Sequence, residues 1–368
     1  MRLRYRQQVT AAGVSVVALA LTLGACSSSS SSSAAGGSSA SGGASSSSGG
    51  SKLSGTLNGS GSTFQLTFLQ SAIQSFKSVE SGITVNYGGG GSGKGRADLA
   101  AGTVNYAGSD SPIPSEEKAG FKGKTVLYFP DVVGPITVSY NLPSVKSLKL
   151  DGPVIANIFQ GKITKWNDKA IKSLNPGVSL PSTAITIAHR SDSSGTTANF
   201  SNFLVQSAPS DWKLGTDSTI SWPATSRGGD GNGGVAQIVK STAGAIGYVD
   251  FADATASGLT FASIKNKDGD YVAPSLAGAT AAASTAAVAP DLTFSAIWAP
   301  GATAYPITAQ SFILVYQKQS SASTAKDLKA WIGYLLGDGQ KLTTSVNFAP
   351  LPANIDSQAK AQLSKIGS

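Results

Sequence analysis

Across residues 53–368 the chain alternates short β-branched runs with stretches whose apolar residues recur every three or four positions. The runs at 83–87, 125–129, 136–140, 185–188 and 312–316 predict strands. The amphipathic stretches 64–76, 165–174, 196–205 and 323–336 predict helices. Phe64, Phe68, Leu69, Ala72, Ile73 and Phe76 share one face of the first helix, and Phe200, Phe203 and Leu204 cluster in the same way further on. Strands and helices interleaved in this order predict an α/β fold. The stretch 273–289 is mostly Ala, Ser and Thr, and predicts a weakly amphipathic helix or a loose surface segment without chemistry of its own.

The N-terminal residues follow neither period. Arg2, Arg4 and Arg6 precede an apolar stretch, 14–23, that ends in Leu23-Gly24-Ala25-Cys26. This is the pattern of a lipoprotein signal over 1–25, too short for a comfortable membrane span. Cys26 is the only cysteine, which excludes an intramolecular disulfide and makes lipid attachment the expected role of the thiol; an ordinary secretory signal is the alternative. Residues 26–52 are almost wholly Ser, Gly and Ala and predict a flexible tether. The remainder of the chain, 53–368, exceeds the ~100–200 residues of one compact domain, so two lobes are expected. The formal charge of +8 falls to +5 once the three signal arginines leave. That mild, dispersed excess suits an anionic small ligand or envelope better than nucleic acid.

Candidate chemistry gathers where strands hand over to helices. His189-Arg190-Ser191-Asp192-Ser193-Ser194-Gly195-Thr196-Thr197 sets one permanent cation among hydroxyls at such a junction. Unpaired N–H groups and the positive end of the helix dipole favour an anion there. Gly59-Ser60-Gly61-Ser62-Thr63-Phe64 leads into the helix 64–76, with Ser62 or Thr63 as its expected N-cap. Gly88 to Lys94 matches a phosphate-loop pattern, but Gly95 stands where a Ser or Thr would hold magnesium, which argues against a nucleotide triphosphatase. The glycines still let backbone N–H groups approach an anion, and Ser92 is the expected cap of the next helix. Asp110, in Tyr106-Ala107-Gly108-Ser109-Asp110-Ser111-Pro112, reads alone as a turn or capping acid.

Together these segments resemble the PstS family, the phosphate-binding components of bacterial ABC importers. The likeness runs through Gly61-Ser62-Thr63-Phe64, Gly91-Ser92-Gly93, Gly108-Ser109-Asp110-Ser111-Pro112, 129–141, 161–168, Leu174-Asn175-Pro176-Gly177, 190–196 and 244–249. It implies a two-lobed type II periplasmic (solute) binding protein fold with the ligand in the interlobe cleft. Lobe I would comprise 53–132 plus 262–368, and lobe II 133–261. The resemblance further implies that Thr63, the backbone of Phe64, Ser92 and Asp110 hold inorganic phosphate from lobe I, and Arg190, Ser194, Gly195 and Thr196 from lobe II. Asp192 would orient Arg190, since residues two apart on an extended chain share a side. Gln65 departs from the proline often found there. Asp110 is the expected discriminator, able to accept the proton that phosphate keeps at neutral pH and sulfate lacks. The implied protein is a non-enzymatic monomer without cofactor or metal. It would be lipid-anchored on the extracytoplasmic side of the cell membrane, with permease subunits as partners and no nucleic acid.

Other readings stay open on the residues alone: another oxyanion such as sulfate, arsenate or molybdate, a phosphate sensor, a surface adhesin, or a secreted serine hydrolase using His189, Asp192 and Ser194. The hydrolase needs His189, the only histidine, to share a face with its strand neighbour Arg190, whereas adjacent strand residues face opposite sides.

Overall fold

The runs 125–129 and 136–140, which read as two strands, form one continuous strand, Val126–Tyr140. From Leu127 onwards every residue of it is buried, so the alternation that marks a half-exposed strand is missing. The computed structural model describes residues 53–368; the signal, the tether and Cys26 lie outside the described residues.

The strands are β1 (Gly55–Gly61), β2 (Ile83–Gly90), β3 (Tyr106–Ser109), β4 (Val126–Tyr140), β5 (Lys149–Leu150), β6 (Thr186–Arg190), β7 (Arg227–Gly229), β8 (Ala245–Asp250), β9 (Thr260–Phe261), β10 (Ser263–Lys265), β11 (Tyr271–Val272) and β12 (Thr308–Tyr316). The helices are α1 (Leu66–Val79), α2 (Ser92–Ala101), α3 (Gly152–Phe159), α4 (Lys169–Leu174), α5 (Gly195–Ser207), α6 (Gly231–Ser241), α7 (Phe251–Ala256), α8 (Leu276–Ser284), α9 (Ala322–Leu336) and α10 (Ala353–Gln362). The main sheet runs β2-β1-β3-β12-β4-β8-β6-β7, with β9 also on β4, and β11-β10-β5 form a small second sheet. On one side β1, β2 and β3 are parallel and joined through helices; on the other, β6, β7 and β8 are parallel. β4 links the two groups, pairing with β12 up to Pro135 and with β8 from Ile136. Pro130 cannot donate to a ladder, and the register slips beside it: Gln310 faces Val133 while Phe312 faces Pro130. Asp131 and Val132 therefore oppose Ser311 alone, a bulge in the middle of the sheet.

The predicted apolar faces are the buried ones. Phe68, Leu69, Ala72 and Phe76 of α1 are buried, with Phe76 edge-on to Trp331 of α9 at 5.2 Å. Phe200 of α5 stacks on Tyr248 at 4.5 Å and meets Phe159 edge-on at 4.8 Å. Truncating such a buried ring to alanine costs about 3–5 kcal/mol through lost transfer energy and a residual cavity.

Two of the expected helices need correction. The helix expected over 165–174 begins only at Lys169, because Asp168 accepts the Ala170 N–H at 2.8 Å and caps it. Trp166 instead enters the core, donating its indole N–H to the Gly244 carbonyl at 2.9 Å. The helix expected over 64–76 is shifted to Leu66–Val79, preceded by Gln65 rather than by a capping Ser62 or Thr63. The Ala-rich stretch is helical at Leu276–Ser284, where the Ser275 hydroxyl accepts the Gly278 N–H. Among the described residues no helix is long and apolar enough to cross a membrane.

Candidate anion-binding site

Parallel strands bring their carboxyl ends to one edge, and here those ends carry the candidate residues. Gly61 at the end of β1 pairs with Gly90 of β2 on one side and Gly108 of β3 on the other. Its φ is +136°, and a Cβ there would strike the Gly108 carbonyl oxygen, so the close approach needs glycine. Ser62-Thr63, Gly91-Ser92 and Asp110 come directly after these ends. Arg190 ends β6 beside Gly229 of β7, which leads into α6.

Asp110 is the hub of the first wall, and only 1% exposed. Ser62 Oγ donates to its Oδ2 at 2.7 Å, and Ser311 Oγ donates to its Oδ1 at 2.7 Å. Ser92 Oγ lies 3.4 Å from Oδ2 and accepts the Asp110 N–H at 3.2 Å. The Asp110 carbonyl accepts from the amides of Asn199 at 2.7 Å and Gln310 at 2.9 Å. Burial raises the carboxyl above its ordinary range, while the Ser62 and Ser311 hydroxyls and the Arg190 charge oppose that rise. Arg96, fully buried in α2, reaches past Asp110 to the hydroxyls of Ser109 at 3.1 Å and Ser111 at 3.3 Å, and its other nitrogens grip Glu117 at 2.6 and 2.8 Å.

Arg190 dominates the second wall. Its Nε donates to Asp192 Oδ1 at 2.7 Å, Nη2 donates to Asp192 Oδ2, and Nη1 reaches Thr196 Oγ1 at 3.3 Å. About two of its five N–H groups remain for a ligand. Asn232, fully buried at the start of α6, joins the walls: its side-chain amide donates to Thr63 Oγ1 at 3.2 Å and to Thr196 Oγ1 at 3.1 Å. Between them the backbones nearly touch, with the Gly93 N–H donating to the Ser193 carbonyl at 3.0 Å.

The structure thus brings Thr63, Ser92, Asp110, Arg190, Gly195 and Thr196 together from distant segments. Ser194 is buried beside them, but its hydroxyl accepts the Thr197 N–H and caps α5. Phe64 turns its ring onto Phe348 at 5.5 Å, and its N–H donates to Ser62 Oγ at 3.0 Å. Ser92 is the first residue of α2 rather than its cap, which frees the hydroxyl for Asp110. His189 stacks on Trp222 at 5.3 Å, with Nδ1 2.8 Å from the Arg190 carbonyl, and burial lowers its pKa. With Asp192 on Arg190 and Ser194 on its helix, no Ser-His-Asp relay is assembled.

Sequence reasoning missed Ser62 as a donor to Asp110, and also Asn232, Asn199, Gln310, Ser311 and Arg96. Asn232 carried a signal: Gly231-Asn232-Gly233 repeats the glycine-flanked form of Gly91-Ser92-Gly93 at a helix start. Gln310 and Ser311 are polar residues entering an apolar strand run, a pattern that calls for a buried partner. The starts of α2, α5 and α6, the Arg190 guanidinium, many neutral donors and the buried Asp110 acceptor suit a partly protonated tetrahedral oxyanion.

A model of the PBP superfamily domain matches residues 46–338. The phosphate-binding protein PstS of Xylella fastidiosa is 37% identical over 313 residues, spanning 83% of this chain and 84% of that protein. The chain belongs to the PstS family. PstS of Haemophilus influenzae is also 37% identical, over 83% of this chain and 92% of its own length. PstS3 of Mycobacterium bovis is 33% identical over 96% of this chain and 98% of its own. A periplasmic phosphate-binding protein solved with phosphate superposes with a TM-score of 0.70 at 21% identity, covering 84% of this chain and 94% of that one. A putative phosphate ABC transporter substrate-binding protein from Clostridium perfringens, also with bound phosphate, gives a TM-score of 0.61 at 17% identity over 81% and 100%. The PstS fold is the two-lobed α/β fold of periplasmic binding proteins, and PstS proteins are binding proteins, not enzymes.

Proposed function

We propose that this protein binds inorganic phosphate between two lobes and delivers it to the permease of an ABC importer. Thr63, the Phe64 backbone, Ser92 and Asp110 would act from lobe I (53–132 plus 262–368), and Arg190, Ser194, Gly195 and Thr196 from lobe II (133–261), with Asp192 orienting Arg190. Removing a bare anion from water costs on the order of tens of kcal/mol by idealised estimates, so each ligand oxygen must find a donor. One arginine, several hydroxyls and the N–H groups at helix starts supply them. The observation that carries the reading is Asp110, a buried acceptor held by hydroxyl donors, with the Arg190 charge near enough to oppose the rise in its pKa. It accepts the proton of phosphate and would face fully ionised sulfate as an unpaired, repelling charge. Lipidation at Cys26, with 26–52 as tether, would hold the protein on the extracytoplasmic side of the membrane. Calorimetric titration with phosphate, sulfate and arsenate tests the ligand: tight phosphate binding without sulfate heat is expected, and silence towards all three would sink the reading. Mass spectrometry of the mature N-terminus tests the anchor.

A further inference from the structure

Asp110 enters the site through its carboxyl, but its backbone carbonyl carries bonds of its own. Asn199, one turn into α5 and only 5% exposed, donates one amide N–H to the Asp110 carbonyl at 2.7 Å and the other to the Gly195 carbonyl at 2.9 Å. Gln310 of β12, 2% exposed, donates to the same Asp110 carbonyl at 2.9 Å and to Asn199 Oδ1 at 3.2 Å. Its own Oε1 accepts the Ala296 N–H at 3.2 Å.

The donors and acceptors of this cluster match one for one. Each side-chain NH2 gives both of its hydrogens, each amide oxygen accepts a bond, and the Asp110 carbonyl uses both lone pairs. An inverted Asn199 would set its oxygen against two carbonyls and its NH2 against that of Gln310, so the sense of every bond is fixed. The bonds divide by wall. Asn199 to Gly195 stays within α5, and Gln310 to Asp110 joins neighbouring parts of the first wall. Asn199 to Asp110 and Gln310 to Asn199 cross between the walls, and parting the walls breaks both. A hollow of about 360 Å³ between the same walls, lined by Ser111, Asn199, Asn202, Thr216, Ser295 and Gln310, lets water take their place.

We propose that Asn199 is a positioning residue of the anion site, a latch that fastens α5 to the Asp110 backbone when the walls close. Its amide spans the carbonyls of Gly195 and Asp110, residues in close contact across the cleft, and so sets the distance between the start of α5 and the carboxyl opposite it. Asp110 then serves in two ways: its carboxyl reads the proton on the ligand, and its carbonyl takes the latch. The carbonyls and amides of the latch take no part in choosing the anion. The latch therefore strengthens the hold on any anion that draws the walls together, and slows its release. The proposal rests on reading the cleft as a phosphate site, and its test tells the failure of one from the failure of the other.

Stopped-flow and calorimetric titrations of the full chain with inorganic phosphate, arsenate and sulfate test the latch. Without the two crossing bonds, Asn199→Ala should release phosphate about 5- to 150-fold faster, with association within about twofold of the parent. Arsenate should weaken by the same factor, and phosphate-over-sulfate selectivity should stand, whereas a change that merely disturbed the structure around the Asp110 carboxyl would shift it. Asn199→Leu keeps the volume without the bonds and should behave as Asn199→Ala does. In a Gly195→Ala background, where the walls already stand apart, Asn199→Ala should cost less than about twofold more, because the two changes break the same bonds. A parent that binds phosphate while both Asn199 variants release it no faster would overturn the latch alone, as would altered selectivity or additive losses. A parent that binds none of the three anions would overturn the phosphate reading and the latch with it.

Discussion

Gly195→Ala isolates closure of the two walls from folding. Gly195 opens α5 with φ outside the left-handed region, so alanine adopts its backbone without strain and favours the helix by about 0.5–1 kcal/mol. Across the cleft, however, the new Cβ would lie 2.6 Å from Asp110 Oδ2 and 2.7 Å from Asp110 Cβ, with Ser92 Oγ nearer still. Ordinary contact needs roughly 3.5 Å, so the walls must part by about 1 Å. Bonds that span them, such as Asn199 to the Asp110 carbonyl at 2.7 Å and Asn232 to Thr63 at 3.2 Å, do not survive that stretch. Ligand bonds shared between the walls stretch with them. Losing two to four bonds at about 1 kcal/mol each gives about 2–4 kcal/mol, or about 30- to 1000-fold in phosphate affinity. Calorimetry measures the affinity, and thermal unfolding without phosphate checks the fold, which should be unimpaired. Affinity within about threefold of the parent would refute the steric argument.

Asp110→Asn should raise sulfate affinity relative to phosphate by about 5- to 150-fold by removing the repelling acceptor; competition calorimetry with unchanged sulfate rejection would count against it. Asn232→Ala removes the amide shared by Thr63 and Thr196, and should weaken phosphate about 5- to 30-fold, chiefly by faster release seen in stopped-flow experiments. Glu117→Ala strands the buried Arg96 and should lower stability by about 1–3 kcal/mol in urea unfolding, less than for a sealed pair because Glu117 is partly exposed. Asp250, with a buried Oδ2 lacking a partner, and Asp253 both have raised pKa values, first through burial. The folded state then keeps protons that the unfolded chain releases above about pH 4, so stability should fall as pH rises towards the raised native values. Asp253→Asn should flatten that fall, and urea midpoints with equal pH slopes in both proteins would disprove the contribution of Asp253.

The sequence by itself determined the kinds of element, their order and the form of the site. Apolar spacing marked the buried faces of α1 and α5, and glycine-flanked hydroxyls at strand ends marked the anion-binding helix starts. These signals are legible because periodicity and backbone freedom act within a few residues. Even so, local reading put the caps at Ser62 or Thr63 and at Ser92, whereas the folded chain commits the Ser62 and Ser92 hydroxyls to Asp110. Tertiary structure alone decided which carboxyl would be the hub and what would surround it. Ser311 reaches Asp110 across 201 residues, from the bulge where Asp131 and Val132 oppose it, and Asn232 meets Thr63 across 169 residues because two strand ends face each other. The roles of Asp110 and Gly195 depend on strand register and wall-to-wall distance, which no local spacing of apolar and polar residues encodes.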